Sequence, residues 1–254
     1  MVAKDHKEFG LIGRGISHSF SAKYFSEKFA KENIDAEYNL FDLPDISLFP
    51  KLIGTHPNLQ GLNVTAPYKR EVIQFLDSLS PEAESLKAVN VIQFERNDDG
   101  AVRLIGHNTD CEGFRVTIEE MPHRFRKAAI LGTGGASSAV RLALKKEGIE
   151  SVLVSRTPEP TYGEISYDEF NSHMGDYDLI VNATPVGMYP NIEACPAIEY
   201  GKLSSEQVCY DLIYNPEETL FLKKAAEKGA KTTNGLQMLL NQADLSWRIW
   251  SDNQ

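Results

Sequence analysis

Short apolar runs alternate with amphipathic stretches along the chain, and glycine, proline or small polar residues separate them. This alternation predicts an α/β protein whose sheets are mainly parallel. The segment Val102–Gly106 either continues the strand before it or pairs with that strand as a hairpin around a turn at Arg96–Gly100. The other predicted strands are Phe9–Gly13, Glu37–Leu43, Leu59–Val64, Ala88–Phe94, Ala128–Gly132, Ser151–Ser155, Asp178–Asn182 and Gln207–Ile213.

The chain divides into two parts at a basic link, Met121–Lys127, because the alternation of strands and helices starts again after it. We predict one α/β domain from residues 1–110 and 236–254, and a second, Rossmann-type domain from residues 111–235. The last helix then returns to the first domain. The predicted helices are Phe20–Lys31, Cys111–Glu120, Ala139–Lys146, Thr219–Lys228 and Leu236–Trp250.

Composition excludes several classes of protein. A hydrophobic content of 42% with 24% charged residues is typical of a globular protein. The formal net charge of −10 argues against a nucleic-acid partner, which needs a basic face. There is no apolar run of about 20 residues for a membrane span and no signal-peptide core near the first residue. Three cysteines without metal-ligand spacing fit a reducing compartment. We therefore expect a cytoplasmic monomer or homodimer without a metal site.

A glycine-rich turn opens the second predicted domain. Gly132, Gly134, Gly135 and Ala136 lie between an apolar strand and a helix. Glycines let the backbone approach a pyrophosphate, and the helix N-terminus stabilises the charge of that pyrophosphate. A glycine-rich turn alone is weak evidence, but between a strand and a helix it indicates a dinucleotide site.

The end of the next strand indicates which dinucleotide binds. The strand ends in Ser155, Arg156 and Thr157, without the Asp or Glu that bonds the free ribose 2′-hydroxyl of NAD. Arginine pairs with a 2′-phosphate and stacks on adenine, so we predict NADP as the cofactor. The alternative is that Arg156 is only a solvated charge at a strand end.

Small polar residues gather at strand ends in the first half of the chain. Ligands of open α/β sheets bind beyond the carboxyl ends of the strands. Hydroxyls, amides and one carboxylate at that edge suit a small-molecule substrate, a polyhydroxylated acid. The residues are Ser17, Ser19, Asn63, Thr65, Lys69, Asn90, Asn108 and Asp110.

Several of these residues also have a purely structural interpretation. Ser19 or Ser21 would serve as the N-cap of the helix that follows, and Asp110 as the N-cap of another helix. Asn90 would be a buried amide whose hydrogen bonds go to the backbone. These alternatives leave Asn63 unexplained.

Lys69 is expected in the first turn of a helix begun by Pro67, where the helix dipole disfavours a cation. A nearby Asp110 would counter that effect, and a lysine balanced in this way exchanges a proton at neutral pH. The alternative is an ordinary surface lysine.

Taken together, the motifs resemble the shikimate dehydrogenase family over nearly the whole chain. The Asn-Val-Thr-x-Pro-x-Lys segment is the most specific of them. The matching pieces are Gly10–Gly13 with Ser17-His-Ser19, Asn63–Lys69, Ala88–Asn90, Asn108–Asp110, Gly132–Ala136, Ser155–Thr157, Asn182–Met188, Asp211–Pro216 and Met238–Gln242.

The resemblance implies an oxidoreductase that reduces 3-dehydroshikimate to shikimate with NADPH, in chorismate and aromatic amino acid biosynthesis. The resemblance implies that Lys69 transfers the proton and that Asp110 orients the side chain of Lys69. It assigns the substrate to Ser17, Ser19, Asn63, Thr65, Asn90, Asp110, Tyr214 and Gln242. It assigns NADP to Gly132, Gly134, Gly135, Ala136, Ser155, Arg156, Thr157, Thr184, Leu212 and Gly235.

The chain departs from the family pattern at three places, and three rival functions stay open. The loop Gly13–Ser17 lacks the usual Pro-Ile, Ala22–Ser26 replace the usual Pro and His-Asn after the second serine, and Pro158-Glu159 stand where a second basic residue is common. One rival is a quinate/shikimate dehydrogenase that uses NAD, which Arg156 disfavours. Another is a non-catalytic NADP-binding regulator, which would not need both Lys69 and Asp110. A methylenetetrahydrofolate dehydrogenase type would not explain the two serines.

Overall fold

The structure is a computed structural model that describes residues 6–17, 19–96 and 101–252. Its strands are β1 Lys7–Gly13, β2 Ala36–Asp42, β3 Leu59–Val64, β4 Ser78–Leu79, β5 Val91–Arg96, β6 Val102–His107, β7 Lys127–Leu131, β8 Glu150–Ser155, β9 Glu164–Ser166, β10 Leu179–Asn182, β11 Val208–Asp211 and β12 Lys231–Thr233. Its α-helices are α1 Phe20–Glu32, α2 Phe49–Thr55, α3 Pro81–Leu86, α4 Asp110–Glu119, α5 Gly135–Lys146, α6 Tyr167–Ser172, α7 Leu220–Ala226 and α8 Leu236–Ser251. Short 3₁₀ helices lie at Ile46–Leu48, Glu71–Phe75, Pro160–Tyr162, Met174–Asp176 and Tyr200–Lys202.

The chain forms two compact units. The first contains Met1–Thr109 and Ala243–Gln254, and the second contains Asp110–Gln242. Helix α8 crosses from the second unit to the first between residues 242 and 243. The last part of the chain therefore returns to the first unit.

The first unit is built on a mixed six-stranded sheet in the order β2-β1-β3-β5-β6-β4. Strand β1 pairs in parallel with both β2 and β3, and β4 pairs in parallel with β6. The pairs β3/β5 and β5/β6 are antiparallel. Strand β6 is thus the hairpin partner of β5, which decides between the two alternatives for Val102–Gly106. Most of the predicted turn at Arg96–Gly100 lies outside the described residues.

Each face of this sheet is covered by its own apolar cluster, since successive side chains of a strand point to opposite faces. Phe9 and Leu11 of β1 pack with α1 and with the end of α8, where Trp250 is buried. Ile12 packs on the other face with residues of β3, α2 and the segment after β3. The indole Nε1 of Trp250 donates to the carbonyl of Ile92 at 3.1 Å, which fixes α8 on the sheet.

The second unit contains a fully parallel sheet in the order β12-β11-β10-β7-β8-β9. This is the doubly wound order of a Rossmann fold, in which the winding direction reverses between β7 and β10. Its core contains Phe170, Tyr177, Phe221 and the free cysteine Cys209. Ligands of such sheets bind at the carboxyl ends of the strands on either side of the reversal.

The predicted fold class, an α/β protein with a first mainly parallel sheet and a Rossmann domain, is confirmed. The domain bounds of 1–110 with 236–254 and 111–235, and the functions assigned to them, stay predictions. In the described part of the chain, no helix is long and apolar enough to cross a membrane. The same residues include no group of His, Cys, Asp or Glu that could hold a metal ion.

Candidate active site

Side-chain hydrogen bonds anchor the loop after β1. Gly15, with φ +67°, donates its N–H to Asp42 Oδ1 at 2.9 Å. The guanidinium of Arg14 donates to the carbonyl of Pro44 at 2.8 Å and to the hydroxyl of Tyr68 at 3.3 Å. The loop is therefore held at both Arg14 and Gly15.

The two serines assigned to the substrate carboxylate differ in their surroundings. Ser17 is exposed. Ser19 is the N-cap of α1, and its Oγ accepts from the N–H of Ser21 at 3.3 Å. Ser19 thus caps α1, as the structural interpretation predicted. Because its oxygen accepts in the cap, its hydroxyl hydrogen is available to donate to an anion.

A buried hydrogen-bond chain fixes Asn63 at the end of β3. Its Oδ1 accepts from the hydroxyl of Tyr38 at 2.8 Å, and its Nδ2 donates to Ser246 Oγ at 3.0 Å and to the carbonyl of Asn90 at 3.3 Å. Ser21 hydrogen-bonds Tyr38, and this bond offsets part of the rise that burial causes in the pKa of Tyr38. Both amide hydrogens of Asn63 are thus engaged within the first unit.

The structure corrects the expected helix at Lys69. Residues 66–70 form a turn, and a 3₁₀ helix begins only at Glu71. The carbonyl of Lys69 accepts from the N–H of Val89 at 2.7 Å, a long-range bond that takes the place of the i+4 helical bond. The argument from a helix dipole therefore does not apply to Lys69. The turn instead ties the half-buried lysine to the residue before Asn90.

Asn90 holds the segment that precedes Asp110. Its Oδ1 accepts from the N–H of Thr109 at 2.8 Å, and its Nδ2 donates to Thr109 Oγ1 at 3.0 Å. Asn108 beside it donates to the carbonyl of Ala88 at 3.0 Å. Asp110 is the half-buried first residue of α4, and Thr65 is half-buried after β3. Asn90 is thus a buried amide whose side chain bonds both the backbone and the side chain of Thr109.

The glycine-rich turn has the geometry of a dinucleotide site. Gly132, with φ +107°, directly follows β7, and a Cβ on it would lie 2.9 Å from Cγ2 of Thr184. Gly134 is the N-cap of α5 and makes no side-chain cap bond. A Cβ on Gly134 or Gly135 would meet no atom within 4 Å, so the backbone before α5 faces open space. Helix α5 begins at Gly135, earlier than predicted, so Ala136 lies in its first turn.

The end of β8 provides a cation and no acid. Arg156 and Thr157 are exposed, and Ser155 Oγ accepts from the N–H of Thr157 at 3.2 Å. The charge of Arg156 offsets part of the rise that burial causes in the pKa of Tyr167. Arg156 forms no ion pair with Glu159 among those found in the described residues. These residues fit a 2′-phosphorylated ribose.

The loops after β10 and β11 are joined by one buried carboxylate. Asp211 is fully buried and accepts from Asn182 Nδ2 at 3.0 Å and from Thr219 Oγ1 at 2.6 Å. Burial raises its pKa to about 6 despite these hydrogen bonds. Asn182 Oδ1 in turn accepts from Thr184 Oγ1 at 2.6 Å. The pair Asn182–Asp211 thereby positions both Thr184 and the strand end before Leu212.

The remaining predicted residues lie on the segments that follow. Gly235 packs directly on the backbone of Leu212, where any Cβ would overlap the Leu212 carbonyl. Tyr214 is 36% exposed, and partial burial raises its pKa. Gln242 is half-buried on α8 and donates to the carbonyl of Leu239 at 3.0 Å. Gly235 is therefore needed for close packing, whatever it contributes to a ligand.

Comparison with known proteins gives the family. A family model described as "Shikimate dehydrogenase substrate binding domain" matches residues 11–92. The shikimate dehydrogenase (NADP(+)) of Caldanaerobacter subterraneus is 37% identical, over 96% of this chain and 91% of its own length. This chain belongs to the shikimate dehydrogenase family. The resemblance stated from the motifs is confirmed.

Two similar solved structures contain a bound cofactor, and one of them also contains a substrate. The shikimate 5-dehydrogenase of Thermus thermophilus, determined in complex with NADP(H) and shikimate, has a TM-score of 0.84 and 30% identity, and covers 97% of this chain and 94% of its own. The quinate dehydrogenase of Corynebacterium glutamicum, in complex with NAD, has a TM-score of 0.85 at 26% identity, and covers 98% of this chain and 94% of its own.

Sequence reasoning missed several residues that hold the predicted site residues of each unit in place. Arg14 anchors the first loop, Tyr38 and Ser246 hold Asn63, and Asp211 joins two loops. Asp211 belongs to the family motif Asp211–Pro216, so the sequence contained a signal for it. No sequence signal indicated that Tyr38 and Ser246 bond Asn63, because these residues are distant from Asn63 along the chain.

Proposed function

We propose that this protein is an NADP-dependent shikimate dehydrogenase, which reversibly reduces 3-dehydroshikimate to shikimate in the biosynthesis of chorismate and aromatic amino acids. The observation that carries the proposal is the hydrogen-bonded frame around Asn90. The carbonyl of Lys69 accepts from Val89, and Asn90 holds Thr109, the residue before Asp110. A lysine and a carboxylate supported in this way fit proton transfer to a substrate oxygen.

Lys69 is the proton donor in the direction of reduction. NADPH, when bound, supplies the hydride to the ketone carbon. Negative charge then develops on the ketone oxygen, where the ammonium of Lys69 stabilises it and delivers a proton. Asp110 orients that ammonium. In the oxidation of shikimate, Lys69 accepts the proton from the hydroxyl.

The substrate is held by hydroxyls and amides rather than by cations. Ser17 and Ser19 donate to its carboxylate, since the hydroxyl of Ser19 keeps its hydrogen while capping α1. The ring hydroxyls are bonded by Thr65, Asn90, Asp110 and Gln242, with Tyr214 against the ring. Asn63 supports the site indirectly, because both of its amide hydrogens are already bonded to Ser246 and Asn90.

NADP is bound by the second unit. The N-terminus of α5 with Gly132, Gly134, Gly135 and Ala136 receives the pyrophosphate, because that backbone faces open space and carries no side-chain cap. The adenosine ribose with its 2′-phosphate is bonded by Ser155, Arg156 and Thr157. The nicotinamide end is contacted by Thr184, Leu212 and Gly235.

We infer a cytoplasmic enzyme that is a monomer or a homodimer. The cysteines Cys111, Cys195 and Cys209 are all free thiols, which fits a reducing compartment. No nucleic-acid or membrane partner is proposed; the proposed ligands are the small-molecule substrate and NADP.

Initial rates with shikimate and with quinate, each with NADP and with NAD, test this function. We expect the highest kcat/KM for the pair shikimate and NADP. A higher value for quinate with NAD would instead favour a quinate dehydrogenase, like the Corynebacterium glutamicum protein. Binding of NADP without turnover of either substrate would favour a non-catalytic regulator.

A further inference from the structure

The segment that carries Arg156 is a loop closed by a single glycine. It leaves β8 at Ser155, contains the 3₁₀ helix Pro160–Tyr162, and enters β9 after Gly163. Gly163 has φ +69°, a left-handed conformation that favours glycine. We call residues 156–163 the β8–β9 loop. Its first residues and Tyr162 are exposed, so contacts with the rest of the unit determine where Arg156 lies.

One side chain from another element clamps the far end of this loop. Arg141 of α5 donates from Nη1 to the carbonyl of Tyr162 at 2.5 Å. Its guanidinium also lies over Gly163, where a Cβ would come within 2.7 Å of Nη2. A hydrogen bond from a charged donor is among the stronger ones in proteins. The N–H of Glu159 also donates to Glu164 Oε2 at 3.0 Å, and the carbonyl of Gly163 accepts from the N–H of Leu153 at 3.2 Å.

Arg141 therefore links two parts of the same cofactor site. Helix α5 presents its N-terminus to the pyrophosphate, and the β8–β9 loop presents Arg156 to the ribose 2′-phosphate. Without the clamp, the loop samples more conformations, and Arg156 is in the binding position for a smaller fraction of the time. The apparent affinity for the ligand falls by that fraction. NAD, which lacks the 2′-phosphate, does not depend on the position of Arg156.

We propose that Arg141 is a specificity-determining positioning residue, which favours NADP over NAD by clamping the β8–β9 loop through Tyr162 and Gly163. The proposal rests on the proposed NADP-dependent function. It also accounts for cofactor selectivity in a chain that has Pro158-Glu159 instead of a second basic residue after Arg156. Arg141 acts through the loop and not on the phosphate.

Binding of NADP and of NAD, measured by isothermal titration calorimetry without substrate, tests the proposal. Arg141→Ala is expected to raise the Kd for NADP about 3–10-fold, the order of one typical net hydrogen bond, and the Kd for NAD less than about twofold. Arg141→Lys, which keeps a donor for Tyr162, should give an intermediate Kd for NADP. Arg126→Ala is the matched control, because that side chain of the same unit is 89% exposed.

A double-mutant cycle separates positioning from direct contact. In an Arg156→Ala background, Arg141→Ala should change the Kd for NADP by less than about twofold, because the loop no longer presents its cation. Equal losses for NADP and NAD, no loss for either, or full additivity with Arg156→Ala would each overturn the proposal. Failure of the function itself is seen separately, as absence of turnover or of NADP binding in the unmodified protein.

Discussion

The side-chain oxygen of Asn90 accepts a hydrogen bond from the N–H of Thr109 at 2.8 Å, and the two side chains bond each other as well. The carbonyl of Asn90 accepts from the N–H of Val64 at 2.8 Å. One buried amide residue therefore joins the end of β3 to the segment that leads into α4. Its contacts to the protein support the residues around it, in addition to any hydrogen bond it makes to a substrate.

Asn90→Ala is expected to lower both stability and turnover. The N–H of Thr109 would be left buried without its partner, which costs about 1–3 kcal/mol. Displacement of the following Asp110 should reduce kcat for shikimate oxidation. Urea unfolding and initial rates measure the two effects, with Asn39→Ala as the control because Asn39, on β2, bonds Glu8 of β1 and Glu37 of its own strand. Unchanged unfolding would show that Thr109 finds another partner.

Lys69→Ala is expected to lower kcat by about 10²–10⁴-fold with little change in KM, because a general acid–base group acts in the transition state. Its backbone bond to Val89 does not involve the side chain, so the turn should persist. Steady-state kinetics and thermal unfolding check both points. Lys51→Ala, an exposed lysine of α2, is the control. Near-full turnover in the Lys69 variant would remove this lysine from the mechanism.

Replacing Ser19 separates its two roles. Ser19→Ala removes both the substrate hydroxyl and the cap of α1, and loss of a cap costs about 1 kcal/mol. Ser19→Gly removes the hydroxyl but costs only a few tenths of a kcal/mol as a cap. Both variants, and Ser17→Ala with Ser19→Ala together, should raise KM for shikimate much more than KM for NADP. Equal changes in the two KM values would mean that the loop is only structural.

Arg156→Ala should raise KM for NADP by roughly 10–150-fold, the worth of a charge-assisted bidentate pair, and leave KM for NAD nearly unchanged. Glu159→Lys should increase the ratio of kcat/KM with NADP to kcat/KM with NAD, because it replaces a charge that repels the phosphate. Steady-state kinetics with both cofactors measure this ratio. A native preference for NAD, or equal harm to both cofactors, would contradict the assignment of Arg156.

Asp211 should make the protein less stable as the pH rises through about 6. Burial raises its pKa in the folded protein to about 6, from the ordinary aspartate value of 3.8. Between those values the folded state binds more protons than the unfolded state, so the free energy of unfolding falls with rising pH. The difference corresponds to about 3 kcal/mol of unfolding free energy, which is present below pH 4 and lost above pH 6.

The neutral variant Asp211→Asn tests this sign. Its Oδ1 can still accept from Asn182, and its amide can donate to the hydroxyl of Thr219, which rotates to accept. The stability of the variant relative to the native protein should therefore increase between pH 4 and pH 7 in urea unfolding. Asp176→Asn, at an exposed carboxylate, should show no such trend. A difference independent of pH would show that Asp211 is ionised throughout.

Local patterns were enough to predict the second unit. The apolar strand β7, the glycines after it and the helix α5 are neighbours in sequence, so their order alone indicates a dinucleotide turn. The end of β8 at Ser155 was predicted in the same way, from a short apolar run and the polar residues that follow it. The family motifs added the assignment of roles to residues such as Lys69 and Gln242.

Tertiary structure decided the rest. The turn at Lys69 was predicted as a helix, because no local signal shows that its carbonyl bonds Val89. The pairing of Tyr38 and Ser246 with Asn63, and of Arg141 with Tyr162, joins residues from separate elements. Hydrophobic periodicity and capping act over a few residues, whereas a buried polar group takes whichever partner the packed chain brings within reach.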